Sequence, residues 1–278
     1  MSSQKRFSRY ASTPEKLMRW EKEGRGKGAG ADYKPWLTVH DVPSKGLRTR
    51  VWSAKTGRIH HLLSMLEYLY FIILESDPDV LDIWEQFPLS LERTKAIAEG
   101  LGHYHPWDRS SESLVVMTTD FVYPKIVGGQ RVLFARNLKY RRDLKKLRTL
   151  QKIEIEREFW REKPDVDYAS VTEAEIPRDL IRNLRWLRGS LRPDYLGEVE
   201  SEVPNIEAFL RPLVIQGTTP LADLTDQADS KFGLEQGSAL AVAKWLMAHR
   251  LWKTDLGRRI SPIAPLLVDS FHYGTAVV

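Results

Sequence analysis

Residues 117–140, MTTDFVYPKIVGGQRVLFARNLKY, contain two runs of β-branched and aromatic residues on either side of Gly128-Gly129. That pattern predicts an antiparallel hairpin, because glycine accepts the positive φ of a tight turn while the flanking residues favour extended chain. With the turn centred between the glycines, Asp120 lies opposite Asn137. Side chains alternate along a strand, so Ala135, Asn137 and Lys139 share one face while Phe134, Arg136 and Leu138 share the other. A carboxylate, an amide and an ammonium group therefore converge at the end of the hairpin away from its turn. Asparagine is a poor strand former and an unpaired carboxylate is costly to desolvate, so this end either holds a ligand or faces water. A polar cross-strand cluster contributes at most about 1 kcal/mol per pair. The hairpin alone leaves both readings open.

Residues 60–74, HHLLSMLEYLYFIIL, are apolar around nearly the whole helical circumference and predict a buried helix with Glu67 in its middle. An ionised carboxylate there must shift its pKa or meet a cation, either a core arginine or a metal. Strand signals at 80–89, 114–123 and 132–140 precede a charged helix over 142–162 and a short strand over 166–171. Leu144, Leu147, Leu150 and Ile153 are spaced to pack that helix on the sheet. Helix, antiparallel meander, helix and strand in this order predict a mixed α/β core with a helix on each side.

A polar, acidic stretch at 172–177 marks a boundary and gives domains of 1–172 and 173–278. The second contains amphipathic segments at 180–187, 206–213, 221–232 and 240–251, then 252–260 with a turn at Leu256-Gly257. Helices followed by a small hairpin form the pattern of a winged helix, with Trp245, Leu246 and Trp252 as its core. Near the N-terminus a short helix is expected over 14–22. The following EGRGKGAGAD reads as a flexible joint, since it lacks the strand-turn-helix setting of a phosphate loop.

The 278 residues include no cysteine, which excludes disulfides, thiolate metal sites and cysteine nucleophiles. The first residues show no apolar signal core, and the longest apolar stretch, 66–74, is too short to span a bilayer. A cytoplasmic protein with no membrane partner is expected. The net charge of +5 is unevenly placed. Arg136, Lys139, Arg141, Arg142, Lys145, Lys146, Arg148 and Lys152 meet only Asp143 across their span, a block suited to a polyanion if it is more than a solvated helix face. His60, His61, His103 and His105 read as cap or surface residues, because no third ligand is placed near them.

Glu67 on a helix, Asp120 on a strand and Asn137-Leu138-Lys139 on the next strand follow the logic of metal-dependent nucleases. Carboxylates, an amide and the Leu138 carbonyl are hard oxygen donors of the kind Mg²⁺ requires. A metal lowers the pKa of bound water and neutralises charge on the reacting phosphate. Lys139 would steady that water or the phosphate. Such spacing also arises by chance, and a noncatalytic DNA-binding adaptor, or a nuclease of the same fold from restriction or repair, stays open on spacing alone.

The segments GRGKGAGADYKPWLTVHDVPSKG, KTGRIHHLLSMLEYLYF, VLDIWEQFPL, MTTDF and KIEIEREFW occur in this order. They resemble corresponding segments of the TnsA endonuclease subunit of Tn-seven-like heteromeric transposases, over residues 20–165 and more thinly beyond. The resemblance implies a restriction-endonuclease-like α/β domain, a mixed sheet flanked by helices, followed by a helical, winged-helix C-terminal domain. It implies an Mg²⁺-dependent DNA endonuclease, with Mn²⁺ as a substitute, that cuts the strand at the transposon 5′ ends. An integrase-type transposase subunit would cut and join the 3′ ends, and an ATPase regulator would contact the C-terminal region. On the matching positions Glu67, Asp120 and Lys139 are catalytic, with Glu67, Asp120, Asn137 and Leu138 around the metal; Glu156 matches a family acid that would support the site, although a glutamate on so charged a helix reads first as solvated. Asn137 stands where glutamine is common in that family, an amide arm shorter by one methylene. Arg136, Arg141, Arg142, Lys145 and Lys146 are the expected DNA contacts.

Overall fold

The structure, a computed structural model, describes residues 13–42 and 47–273. The first twelve residues of the expected N-terminal domain lie outside them. The chain divides into two compact units, with the division between Glu175 and Ile176.

In chain order the first unit contains α1 (Pro14–Lys22), β1 (Thr49–Ser53), β2 (Arg58–Leu62), α2 (Met65–Ser76), β3 (Trp84–Pro88) and α3 (Leu91–Gly100). There follow β4 (Trp107–Asp108), β5 (Ser113–Leu114), β6 (Thr118–Val127), β7 (Gln130–Leu138), α4 (Leu147–Arg161) and β8 (Val166–Val171). The central sheet has the order β3-β6-β7-β8, with β8 parallel to β7 and the other pairs antiparallel. A parallel neighbour needs a crossover, which α4 supplies. On one face Ile97 and Ala98 of α3 and Ile155, Phe159 and Trp160 of α4 pack against Val122 and Ala135. On the other face Tyr70 of α2 lies 5.8 Å from the Phe121 ring, and its hydroxyl is 3.0 Å from that of Tyr123. The mixed sheet between helices is thus the expected α/β architecture.

The β6–β7 register is the one the Gly-Gly turn predicts, from Val127↔Gln130 to Phe121↔Arg136. Several elements differ from expectation. The helix expected from residue 60 begins at Met65, because RIHHL forms β2 with Arg58, His60 and Leu62 turned inward. It pairs with β1 across a turn in which Gly57 takes φ 67°. Ser64 caps the helix by accepting the Glu67 N–H at 3.1 Å, so Glu67 sits in the first turn rather than the middle. The β1–β2 hairpin and α3, capped by Ser90, were not anticipated. Strand β3 is shorter than the 80–89 segment, with Val80 forming only an isolated bridge to Lys125. The strand expected over 114–123 is split: Leu114 pairs with β4, and β6 starts at Thr118. Leu147 and Leu150 are exposed because the buried stripe of α4 begins at Ile153.

The glycine-rich 23–32 segment, expected as a joint, is hydrogen-bonded into the fold. The Gly26 N–H donates to the Lys34 carbonyl at 2.6 Å, and the Tyr33 hydroxyl donates to the Glu85 carbonyl at 3.1 Å.

The second unit is helical: α5 (Arg178–Leu187), α6 (Val203–Gln216), α7 (Leu221–Phe232) and α8 (Ser238–Ala248), then β9 (Trp252–Lys253) and β10 (Ser270–Phe271). Leu246 and Trp252 are fully buried, whereas Trp245 is only partly covered and lies against His249. The turn at Leu256-Gly257 does not return the strand. Asp255 accepts the Gly257 N–H there, and β9 pairs instead with the more distant β10, after a connection that prolines keep irregular.

Candidate active site

At the end of the sheet away from the Gly-Gly turn, the β6–β7 ladder stops at Phe121↔Arg136. One position further, the Asp120 carboxylate takes the place of a backbone acceptor. Its Oδ2 accepts the Leu138 N–H at 2.7 Å and the Lys139 ammonium at 3.0 Å. Lys139 Nζ also donates to the Leu138 carbonyl at 2.8 Å. Glu67 arrives from the first turn of α2, where Ser64 fixes the backbone and the Leu63 N–H holds Oε2 at 2.8 Å. Between the two acids stands Gln86 of β3, its Nε2 3.3 Å from Glu67 Oε2 and 3.5 Å from Asp120 Oδ1.

Asn137 turns its Nδ2 to Glu156 Oε2 at 2.6 Å instead of meeting Asp120 across the hairpin. It shares the face of Ala135, which packs on α4. Thr119 donates to the other Glu156 oxygen at 2.7 Å and accepts from Trp160 Nε1 at 2.8 Å, so Glu156 is buried and fully engaged rather than solvated. The expected cluster is therefore two adjoining layers. Glu67, Asp120, Leu138 and Lys139 form one, and Asn137 and Glu156 the other.

The electrostatics follow from this placement. Burial, then the neighbouring Asp120 charge, raises the Glu67 carboxyl above the usual range. The same two causes lift Glu156 to about 8. Burial works against the Lys139 ammonium, but Asp120, Glu156 and Glu67 together hold its pKa above the ordinary value.

The donor set suits a hard divalent cation. It offers only oxygens, and the Asn137 Oδ1 is buried with no hydrogen-bond partner. Glu67 has no ion-pair partner among the described residues. No group of three or more His, Asp or Glu side chains gathers as a metal cluster among them. A cation would thus rest on Glu67 and Asp120, with further oxygens from the Leu138 carbonyl and water.

Of the other expected residues, Arg141, Arg142, Lys145 and Lys146 are exposed in the turn before α4. Arg136 is not available to DNA in the same way: its guanidinium is 2.8 Å from Asp167 on β8, lies over Phe134, and is little exposed. His60 is neither a cap nor at the surface. It is completely buried, bonded to Glu85 and Thr56 at 2.8 Å each, and Arg58 closes the same carboxylate with two bonds. The core arginine considered as a partner for Glu67 thus belongs to Glu85. Gln86 went unnoticed. The signal was the adjacent pair Glu85-Gln86 inside the apolar run VLDIWEQFPL, the same kind of polar interruption that singled out Asp120.

A mixed sheet between helices, with two buried acids and a lysine gathered at one end, defines the class as a DNA endonuclease of restriction-endonuclease-like fold. The chain matches the families described as TnsA-like endonuclease N terminal, over residues 77–173, and TnsA endonuclease C terminal, over residues 175–256. It is 37% identical over 235 residues to the transposon Tn7 transposition protein TnsA of Escherichia coli, covering 84% of each chain. The chain belongs to the TnsA family and is a TnsA-like endonuclease subunit of a transposase. Asp120, Asn137, Lys139 and Glu156 fall inside the N-terminal match, and Glu67 precedes it. The family implies a divalent metal ion. No helix among the described residues is long and apolar enough to cross a membrane.

Proposed function

We propose that the chain hydrolyses the phosphodiester at the 5′ ends of a transposon, with Mg²⁺ as its natural ion and Mn²⁺ as a substitute. Glu67, Asp120, the Leu138 carbonyl and Asn137 Oδ1 would hold the ion. When bound, it lowers the pKa of water and offsets charge on the reacting phosphate. Lys139, fixed by Asp120 and Leu138, presents its ammonium to the incoming water or to a phosphate oxygen. Glu156 holds the Asn137 amide from behind and so orients its oxygen. Arg141, Arg142, Lys145 and Lys146 bind the DNA backbone. The second domain, residues 173–278, is winged-helix-like and contacts an ATPase regulator. A separate integrase-type transposase subunit cuts and joins the 3′ ends, and the complex works in the cytoplasm.

The observation that carries this assignment is the approach of Lys139 Nζ to Asp120 Oδ2 at 3.0 Å beside a second buried acid from another element. A buried carboxylate is costly to desolvate alone, and Glu67, unlike Glu85 with its Arg58, has no ion-pair partner among the described residues to offset that cost. The test is strand-specific nicking of labelled transposon ends in the assembled transposase. Asp120→Ala and Lys139→Ala should each lower 5′-strand cleavage by at least about a hundredfold while the complex still assembles. Undiminished cleavage in both variants overturns the assignment.

A further inference from the structure

We propose that Gln86 is a positioning residue of the nuclease centre, setting the separation of Glu67 and Asp120 at which a divalent cation binds. This rests on the assignment of those two acids to the metal.

The β3–β6 ladder runs from Trp84↔Val122 to Glu85↔Phe121, then resumes at Phe87↔Thr119. Gln86 and Asp120 face each other at the single break. There the Gln86 backbone has φ 50°, a left-handed conformation that L side chains avoid. The other non-glycine residues with positive φ among the described residues, Glu112 and Arg250, lie in turns, whereas Gln86 lies within a strand. Unfavourable backbone of this kind persists only where the surroundings over-determine it, and it clusters at functional sites.

The surroundings here do over-determine it. The Trp36 N–H donates to the Gln86 carbonyl at 3.2 Å, and the Tyr33 hydroxyl holds the carbonyl of Glu85. Gly26 lies so close to β3 that a Cβ on it would fall 2.2 Å from Pro88 Cγ. The glycine-rich segment is therefore a clamp on the part of β3 that bears Gln86. The Gln86 side chain is 2% exposed. Thr118 donates its hydroxyl to Oε1 at 3.0 Å, which turns Nε2 toward both acids. One amide donor thus spans two carboxylates from different elements, and the conformation that places it there is disfavoured by its own backbone. A filler side chain needs neither feature. Side chains that orient metal ligands in this way typically govern affinity.

The experiment uses the full chain and titrates Mn²⁺ calorimetrically against wild type, Gln86→Met, Gln86→Gly and Asp120→Ala, with melting curves in chelator to establish folding. Gln86→Met keeps the volume and removes the donor. Gln86→Gly fits the left-handed backbone without strain and removes the side chain. The expected result is a folded protein in both cases, with Mn²⁺ binding weakened roughly 10- to 100-fold. Cleavage should be partly restored by raising the metal concentration. If Gln86→Met does not fold, Gln86→Gly decides. Failure of both to fold makes Gln86 a packing element and overturns the proposal. Wild-type binding that is lost in Asp120→Ala but unchanged in the folded Gln86 variants overturns the Gln86 role alone. Wild-type protein that does not bind, or Asp120→Ala that binds equally well, overturns the metal assignment and this proposal with it.

Discussion

The Lys139 ammonium lies 3.0 Å from Asp120 Oδ2 and reaches the Leu138 carbonyl at 2.8 Å, so one cationic group ties two of the oxygens assigned to the metal. A divalent cation entering between Glu67 and Asp120 must share these oxygens with the ammonium. On the proposed assignment Lys139 is thus both a working group and a competitor, which separates its behaviour from that of the acids.

Lys139→Ala should accordingly abolish cleavage without weakening Mn²⁺ binding, because the competing charge is gone while the oxygen donors remain. Asp120→Ala should lose both. Calorimetric titration of Mn²⁺ beside a nicking assay distinguishes the two patterns, and loss of metal binding in Lys139→Ala contradicts this role.

The raised carboxyl pKa values make the centre destabilising at neutral pH when no metal is added. Burial and then Asp120 hold Glu156 at about 8, and Glu67 is shifted in the same direction. The folded chain binds these protons more tightly than the unfolded chain, so stability falls as pH rises through the interval from the ordinary carboxylate pKa to the raised one. Lys139 does not offset this slope, since its contribution is fully present below the ordinary lysine pKa and is lost only above it. Below the ordinary histidine pKa, His61 and His105, whose pKa values burial lowers, give an opposite slope, so melting temperature in chelator should fall between about pH 6.5 and about pH 8, and Glu156→Gln should flatten the profile there. Saturating Mg²⁺ should oppose the fall, because it favours the ionised acids. A wild-type profile that is flat in chelator contradicts the prediction.

Beside the site, Arg58 forms an ion pair with Glu85, a completely buried carboxylate that also shares a hydrogen bond with His60. Arg58→Met leaves that charge with a partial set of partners and should cost about 3–5 kcal/mol in urea denaturation. Adding Glu85→Gln should recover much of the loss, since both charges of the pair are then absent.

The exposed cluster Arg141, Arg142, Lys145 and Lys146 predicts a salt-dependent component of DNA binding. Alanine at all four positions should reduce affinity for any duplex sequence. It should also flatten the slope of log affinity against log salt by about 0.9 for each phosphate contact removed. Arg136→Ala should change stability more than this slope, because its charge is already met by Asp167. An unchanged slope in the fourfold variant contradicts the assignment.

Much of this organisation was legible in the sequence because a hairpin with a glycine turn has a register that follows from residue counting. That counting placed Asp120 at the right end of the right strand. It failed one pair further on, where Asp120 substitutes its carboxylate for a backbone acceptor and the ladder ends. Alternation placed Asn137 on the face of Ala135, but it could not show that Glu156 would be waiting there on α4. The start of α2 was misjudged because His60, His61 and Leu62 continue the apolar run. Only the cap formed by Ser64 separates strand from helix. Gln86 was harder to single out, since Asp82 and Glu85 interrupt the same run and only the φ of Gln86 separates it from its polar neighbours. The glycine-rich segment was misread for a related reason: glycine permits both a loose joint and a close approach, and only the facing Pro88 decides which.

The most direct measurement is anomalous diffraction from crystals of the full chain soaked in Mn²⁺. A peak within coordination distance of Glu67, Asp120 and the Leu138 carbonyl, absent from Asp120→Ala crystals, is the predicted result. An ordered Mn²⁺ elsewhere in the first unit, with Glu67 and Asp120 still bridged only by Gln86, would contradict the account.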